Sequence, residues 1–455
     1  MENEVQDATT IVFAAWLFLM AMVYLSWRLP RRFAMMPLLI TTCYMSMGQM
    51  IVVGGLHFQL YRILMIVGLL RVWVRGEQKG EGFGGLDKLF VAWVLVTVII
   101  GTATQPSLDR FLNRSGEVYN AVGTYFLVRC WIRNLDDVVA VVRVAGYMIA
   151  PLALSMIVEK TTGRNIFSVF GGVPEITEVR DGKLRCQGAF RHPLLAGTYF
   201  ATLFPLFVGL WFQPGRSRWP AVMGGGSAIV ATVASGSSGA FLTLLVAGIG
   251  FALWPFRDRM RLLRWSMLIL LLLLAAFMQA PVWYLFTRIS DVAGGSGWYR
   301  SYLIDQALEH WNEWWLVGST YTAHWAPGGE VMPGNPGNMD ILNQFVAEGL
   351  GGGVLKLGLF VAIIVAGFKI VGRITGQKGR YPFPHEVFVW SIGVCLAAHC
   401  ISFMSVTYFD QIIVMWYLLL GILTMLACTS AREDSVSGKG APRDAVDESV
   451  SLKCP

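Results

Sequence analysis

Hydrophobic positions in this chain fall into long, nearly uninterrupted runs rather than the alternating or one-faced patterns of soluble strands and helices. Thirteen such runs can be drawn, at 10–27, 34–54, 58–74, 88–103, 115–132, 137–158, 193–213, 219–234, 239–255, 265–285, 351–372, 386–406 and 409–428. A run of ~20 apolar residues wound into a helix crosses ~30 Å of hydrocarbon. The pattern therefore predicts an all-α polytopic transmembrane helical bundle of about 12–13 spans. Between the runs lie two long polar segments, 159–192 and 286–350. Segments of that size without a span of their own are usual places for function. Within the second, Arg300 to Trp315 reads as a short amphipathic helix with Leu303, Ala307, Leu308, Trp311 and Trp315 on one stripe. A further helical run starts near Asp340 and leads into the span at 351. Residues 1–428 thus form one membrane unit, and 429–455, polar and poor in large apolar residues, reads as a disordered tail.

Composition agrees. Of 455 residues, 55% are hydrophobic and only 14% charged, against ~25% charged in a soluble domain. This excludes a soluble enzyme, a fibrous protein and a disordered chain. The net charge of +7 is read as membrane topology, not as nucleic-acid binding. Connections after odd-numbered runs hold nineteen basic residues, and the four short even-numbered ones hold two, Arg110 and Arg114. Basic residues stay on the cytoplasmic side, so the odd connections and the C-terminal tail are expected in the cytoplasm and both long segments outside. The acidic start (Glu2, Glu4, Asp7) argues against a cleaved signal peptide. Seven scattered cysteines, with no Cys-x-x-Cys pair, argue against a disulfide framework or a metal site. Gly224–Gly226 and Gly351–Gly353 follow no strand and are read as small-residue helix contacts.

Candidate chemistry lies in the two long segments. Arg180, Lys183, Arg185, Arg191 and His192 crowd the mouth of the span at 193. Cations at a water–lipid boundary suit a phosphorylated or pyrophosphorylated lipid headgroup, which arginine can hold by paired hydrogen bonds. They equally suit ordinary anionic phospholipid. His192 before Pro193 also has the form of a helix entry. The second segment carries Arg288, Arg300, seven carboxylates, His310, His324 and five tryptophans. Flat rings beside carboxylates suit a saccharide, and an interfacial aromatic belt also gathers tryptophan. Arg62, Arg143 and Lys356 lie within or near the ends of apolar runs. The first and last can snorkel to the surface, and Arg143 has Asp136 and Asp137 as possible partners.

Three stretches carry a resemblance. They are RCQGAFRHPLLAG at 185–197, WYRSYLIDQALEHWNEWWLVGST at 298–320 and NMDILNQFVAEGLGGG at 338–353. Together with the layout over roughly 35–425, they resemble the bacterial O-antigen ligase and O-antigen polymerase superfamily of integral membrane glycosyltransferases. The first matches an Arg-x-x-Gly-x-Phe-x-x-Pro pattern through Arg185, Gly188, Phe190 and Pro193, and the second places Arg300 and Gly318. SGSSGAFLTLLVAGIG at 235–250 is similar to a Ser-Arg-Gly-Ala helix start, with Ser238 where arginine is common.

The resemblance implies a saccharide donor linked to a polyprenyl diphosphate and a saccharide or lipid acceptor. It implies inverting transfer at the outer face of a bacterial plasma membrane, without a cofactor or metal ion, and association with other polysaccharide assembly proteins. Arg185 and Arg300, with Arg191 and Arg288, would stabilise the departing diphosphate. His192, His324, Trp311, Trp315 and Glu348 would contact substrate. Ligases of the family carry a histidine about ten residues before a Gly-x-x-Gly. Here Gly349-x-x-Gly352 puts Asn338 at that position, leaving Asp340 as the base, with Glu348 or His324 as alternatives. A transporter or flippase for a lipid-linked saccharide, and a non-catalytic relative that organises assembly, are the rival readings.

Overall fold

The computed structural model describes residues 11–53, 56–78, 82–104, 107–180, 182–285, 287–288, 297–326, 337–377 and 379–438. Of the described residues 75% are helical, and the chain is an all-α multi-pass membrane protein. Its elements begin with α1 (Phe13–Arg28), α2 (Met36–Tyr44), a hairpin of β1 (Met50–Val53) and β2 (Leu56–Gln59), and α3 (Leu60–Val74). Next come α4 (Gly85–Ala103), α5 (Leu108–Trp131), α6 (Leu135–Met148) and α7 (Ala150–Thr162). A second hairpin, β3 (Glu178–Arg180) and β4 (Lys183–Arg185), precedes α8 (Pro193–Trp211), α9 (Arg218–Ala234), α10 (Ser238–Ala252) and α11 (Met260–Phe277). The second long segment holds α12 (Gly297–Glu309), α13 (Trp311–Trp314) and α14 (Gln344–Leu350). The chain closes with α15 (Gly353–Thr375), α16 (Phe383–Phe403) and α17 (Asp410–Gly438).

Among the described residues, seven helical stretches are long and apolar enough to cross a membrane: α4, α6–α7, α8, the stretch Trp254–Phe277 that contains α11, α15, α16 and α17. The remaining runs depart from a simple span for visible reasons. α2 is nine residues long, too short at ~1.5 Å per residue to cross by itself. The run at 34–54 continues through a turn at Met47–Gly48 into β1, which brings Gln49 to the start of α1, where its Oε1 accepts from Val12 N at 3.3 Å. α5 carries Arg114, Glu117, Asn120 and Arg129 and is too polar to qualify, yet it packs inside the bundle against α3, α4 and α17.

α8 is the central helix. His192 caps its start, Pro193 occupies its first turn, and nearly every side chain from Pro193 to Leu210 is buried. At Gly224 on α9 a Cβ would lie 2.4 Å from the Phe207 ring of α8, so only glycine allows that approach. At the periphery the burial pattern inverts. α11 has no buried residue, and Leu268–Leu273 are all exposed. Apolar surface of that extent, unpaired by protein, belongs against lipid.

The bundle has two distinct ends. At one, basic connections gather. Arg71 bonds Glu77 at 2.9 Å and the carbonyl of Ser26, and Arg31 reaches Asp137 at 3.0 Å. Arg143 bonds Ser217 Oγ at 2.8 Å. Its partner is therefore the α8–α9 connection and not the expected Asp136–Asp137 pair, because Asp137 turns to Arg31 and to the amide of Arg133. Arg380 bonds Asp434, and Tyr381 bonds Glu433 at 2.6 Å, holding α17 as helix to Gly438. The expected tail boundary at 429 thus falls inside a helix, and 439–455 lie outside the described residues. The opposite end carries both hairpins and both long segments.

Candidate functional site

Five stretches of chain converge at the loop-bearing end. The first is 183–192. Glu159, fully buried at the end of α7, takes the amides of Gln187 and Gly188 at 3.0 and 2.9 Å on its two oxygens. That anchors the loop behind Arg185. The second is the start of α10, where a Cβ at Gly236 would lie 3.3 Å from Arg185 Cγ and one at Gly239 would lie 3.6 Å from Arg300 Nη2. The third is α12, which presents Arg300. The fourth, 338–344, is tied to α12 by Tyr299, whose hydroxyl donates to the Asp340 carbonyl at 2.8 Å. The fifth, 404–411, accepts from Arg300 Nε on the Ser405 carbonyl at 3.3 Å. Its Thr407 hydroxyl donates to the Ile341 carbonyl, and Gln411 on α17 donates to the Ala189 carbonyl at 3.0 Å.

The two arginines expected to act together are thus neighbours. Arg185 is 7% exposed and Arg300 6%. Arg185 is paired with Glu178 across the β3–β4 hairpin at 2.7 Å. Burial, with Arg180 and Arg185 close by, pushes the Arg300 guanidinium down to about 10. It stays charged at neutral pH, but the charge is held against desolvation and against its own kind. The first turn of α10, with its free amides, adds to the positive field. An anion entering here would relieve all three.

The other expected residues divide. Arg191 lies beside Asp410, Nε to Oδ2 at 3.8 Å, which joins the arginine cluster to the N-terminus of α17. His192 supplies a cap, its Nδ1 accepting from Leu194 N at 3.1 Å. Burial and then Arg185 lower its pKa, so the ring is neutral and adds no charge to the cluster. Arg288 is exposed, in a short described stretch flanked by residues outside the description. Asp340 carries an exposed side chain, and the protein around it desolvates the carboxylate enough to raise its pKa.

Glu348 is saturated. Its Oε2 receives Trp93 Nε1 at 2.9 Å and lies 3.2 Å from Lys356 Nζ, and its Oε1 receives Gln344 Nε2 at 2.8 Å. Both carboxylate oxygens are engaged by the protein, so neither is left over for an acceptor hydroxyl. Lys356, expected to snorkel, is buried in this pair, and Arg62 reaches Asn120 on α5 at 3.0 Å. The Glu348–Lys356 pair lines a cavity of about 260 Å³ between α4, α5, α14, α15 and α17. Trp93, Trp416 and Tyr417 supply its aromatic walls, and Arg114, Glu117 and Asp410 its polar ones.

The aromatic stripe reads differently in three dimensions. The helix breaks at His310, which leaves the helical region with φ −95° and ψ 27°. The break rotates the following turn, so Trp314 is buried with Leu303 and Ala307, and Trp311 and Trp315 stand 41% and 45% exposed. Nor does the helix from 340 run on into the span. It starts at Gln344, capped by Asn343, and stops before Gly353, whose φ is +67°. A Cβ there would lie 2.3 Å from the Leu316 carbonyl oxygen, and one at Gly318 (φ +82°) 2.1 Å from that of Leu350. Two loops are pressed backbone to backbone, joined by Ser319 N to Leu350 O and Val354 N to Trp315 O. The Gly351–Gly353 run therefore serves loop contact, not helix packing.

His324 is far from free. Its Nε2 lies 3.0 Å from both oxygens of Glu313, with His310 alongside, so the fold assembles a His–Glu–His group for which no spacing rule prepares the reader. Sequence reading also passed over Glu159, Gln344 and Ser405. Glu159 had a signal, a carboxylate at the end of an apolar run, but the Ser405 carbonyl had none, because every residue offers one. Comparison with protein-family models and with curated proteins finds no match for this chain.

Proposed function

We propose that the chain is a membrane glycosyltransferase of the O-antigen ligase or polymerase type. It would take a saccharide from a polyprenyl-diphosphate donor at the outer face of a bacterial plasma membrane, with the C-terminus in the cytoplasm. The observation that carries this reading is the pair Arg185 and Arg300. Both are buried, they come from different long segments, and they meet at the first turn of α10.

A buried cation cluster is costly unless an anion repays it, and a pyrophosphate at the lipid boundary has the charge and the bidentate oxygens to do so. In the transfer step the acceptor hydroxyl gives its proton to the Asp340 carboxylate. The hydroxyl oxygen forms the new bond to the anomeric carbon, and the bond from that carbon to the diphosphate oxygen breaks. The electron pair leaves with the lipid diphosphate, where Arg185 and Arg300 meet the growing charge. Direct displacement inverts the anomeric centre. A raised carboxyl pKa makes Asp340 a stronger base than an ordinary aspartate. The exposed rings of Trp311 and Trp315 suit the apolar face of a sugar, and Arg191 with Asp410 closes the cluster toward the cavity.

The test is transfer in vitro from a lipid-diphosphate oligosaccharide by purified protein, with Arg300→Lys and Asp340→Asn compared against wild type. Loss of new glycosidic bonds in both supports the reading. Undiminished transfer by Arg300→Lys removes the clamp, and movement of the lipid across proteoliposomes without bond formation favours a flippase.

A further inference from the structure

We propose that His310, Glu313 and His324 form a divalent transition-metal site of the zinc type on the outer loop. Their donor atoms all lie within 4.8 Å of one another. Bonds of ~2.0–2.1 Å at tetrahedral angles set neighbouring donors ~3.3 Å apart, so an ion needs only small side-chain shifts to enter. Two imidazoles and one carboxylate, with a fourth position left to water, is a donor set that suits zinc.

The arrangement is held from outside, as metal ligands are. His310 Nδ1–H donates to the Gln306 carbonyl at 3.0 Å, which leaves the Nε2 lone pair for an ion. Trp325 Nε1–H donates to Glu313 Oε2 at 3.1 Å and leaves Oε1 turned to the histidines. Each imidazole lies flat on a ring, His310 on Trp325 at 5.1 Å and His324 on Tyr321 at 5.3 Å. Trp325 is wholly buried, so the platform is rigid. Glu313 and His324 are each more than a third exposed, which gives an ion a way in. Binding would displace the proton that His324 Nε2 shares with Glu313.

The ion would stand ten residues along α12 and its end from Arg300, ~15 Å at helical rise, too far to share in the leaving-group charge. Its role is positional. Thr322, between the two stacked rings in sequence, bonds Gly337 O through its amide and Met339 N through its hydroxyl, each at 3.0 Å. A metal at His324 therefore fastens the chain that leads directly to Asp340.

The test uses the full-length protein in detergent, stripped with a chelator and titrated with zinc against a chromophoric competitor, and separately with cobalt, read by visible absorption. Wild type is expected to bind one equivalent and to show the intense bands of four-coordinate cobalt. Glu313→Gln and His324→Asn are each expected to bind more than ~100-fold more weakly, beyond the ~10–100-fold that outer-shell partners command. Trp325→Phe, which keeps all three donors, is expected to fall within that smaller range and guards against a ligand variant that fails to fold. Zinc bound equally by wild type and Glu313→Gln, or no zinc bound by wild type, overturns the proposal.

Discussion

At the scale of single residues, the cluster turns on two side chains whose environments differ in kind. Arg300 is buried and shares its field with Arg180 and Arg185, so its charge is available only to an anion that reaches it. Arg300→Lys keeps the charge and loses the planar fork. A drop of ~10²–10³ in transfer rate is expected, the scale of one lost transition-state donor, measured as turnover on a lipid-linked donor. Asp340 sits at the other pole, a carboxylate whose surroundings hold its pKa above the ordinary ~3.9. In the proposed transfer only the deprotonated form would accept the acceptor's proton, so the rate should rise with pH through that raised value and then level off. The pH–rate profile checks the sign: in Asp340→Asn the acid limb disappears together with most of the rate. Both residues stand out in the sequence as candidates, because charged side chains in the long polar segments are conspicuous among so many apolar ones. That His192 is a neutral cap was not readable, since its charge depends on burial and on Arg185.

At the scale of elements, the junction of α13, α14 and α15 is the most exacting part of the fold. Glu348 and Lys356 are buried together at the start of α15. Glu348→Gln leaves the ammonium without its counter-charge, which should cost about 3–5 kcal/mol, read as a fall in thermal unfolding temperature in detergent. Adding Lys356→Met should restore most of the loss, because it removes the unpaired ammonium and leaves methionine against the Trp93 ring. Gly318→Ala puts a methyl group 2.1 Å from the Leu350 carbonyl in a left-handed backbone. A penalty on the order of 1–3 kcal/mol is expected from the backbone alone, with the loop pushed off α15 besides, visible as faster proteolysis of the outer segment. Apolar period located these helices well. It failed at His310 and at Gly351–Gly353, where the breaks come from loop-to-loop contacts that a linear pattern does not contain.

At the scale of the whole molecule, the charge ledger and the coordinates describe the same two ends. At one end Arg31 reaches Asp137, Arg71 reaches the Ser26 carbonyl, Arg143 reaches Ser217 and Gln213 reaches the Pro384 carbonyl, and the long segments meet at the opposite end. Cysteines placed at Lys183 and Arg216, both exposed, should therefore react with a membrane-impermeant maleimide from opposite faces of the cell membrane. Labelling of both from one side would undo the orientation. The span expected at 34–54 was drawn from an apolar run, and the structure gives a nine-residue helix followed by a turn and β1 instead. The apolar pattern does not contain the cause, because Ser46 donates to Gly172 O at 2.9 Å and Gly48 lies against the same glycine, partners over a hundred residues away.

What the chain's order of residues determines here is the class of protein and a bias in where its basic residues fall. Hydrocarbon demands long apolar helices, and basic residues resist translocation, so both facts are written locally. What only the tertiary structure decides is which polar groups meet. Arg185 and Arg300 become one cluster, Glu348 and Lys356 one pair, and His310, Glu313 and His324 one group. The reason is physical: a buried charge or ligand needs its partner within a few ångströms, and those partners come from turns and segments that adjoin only once the helices have packed.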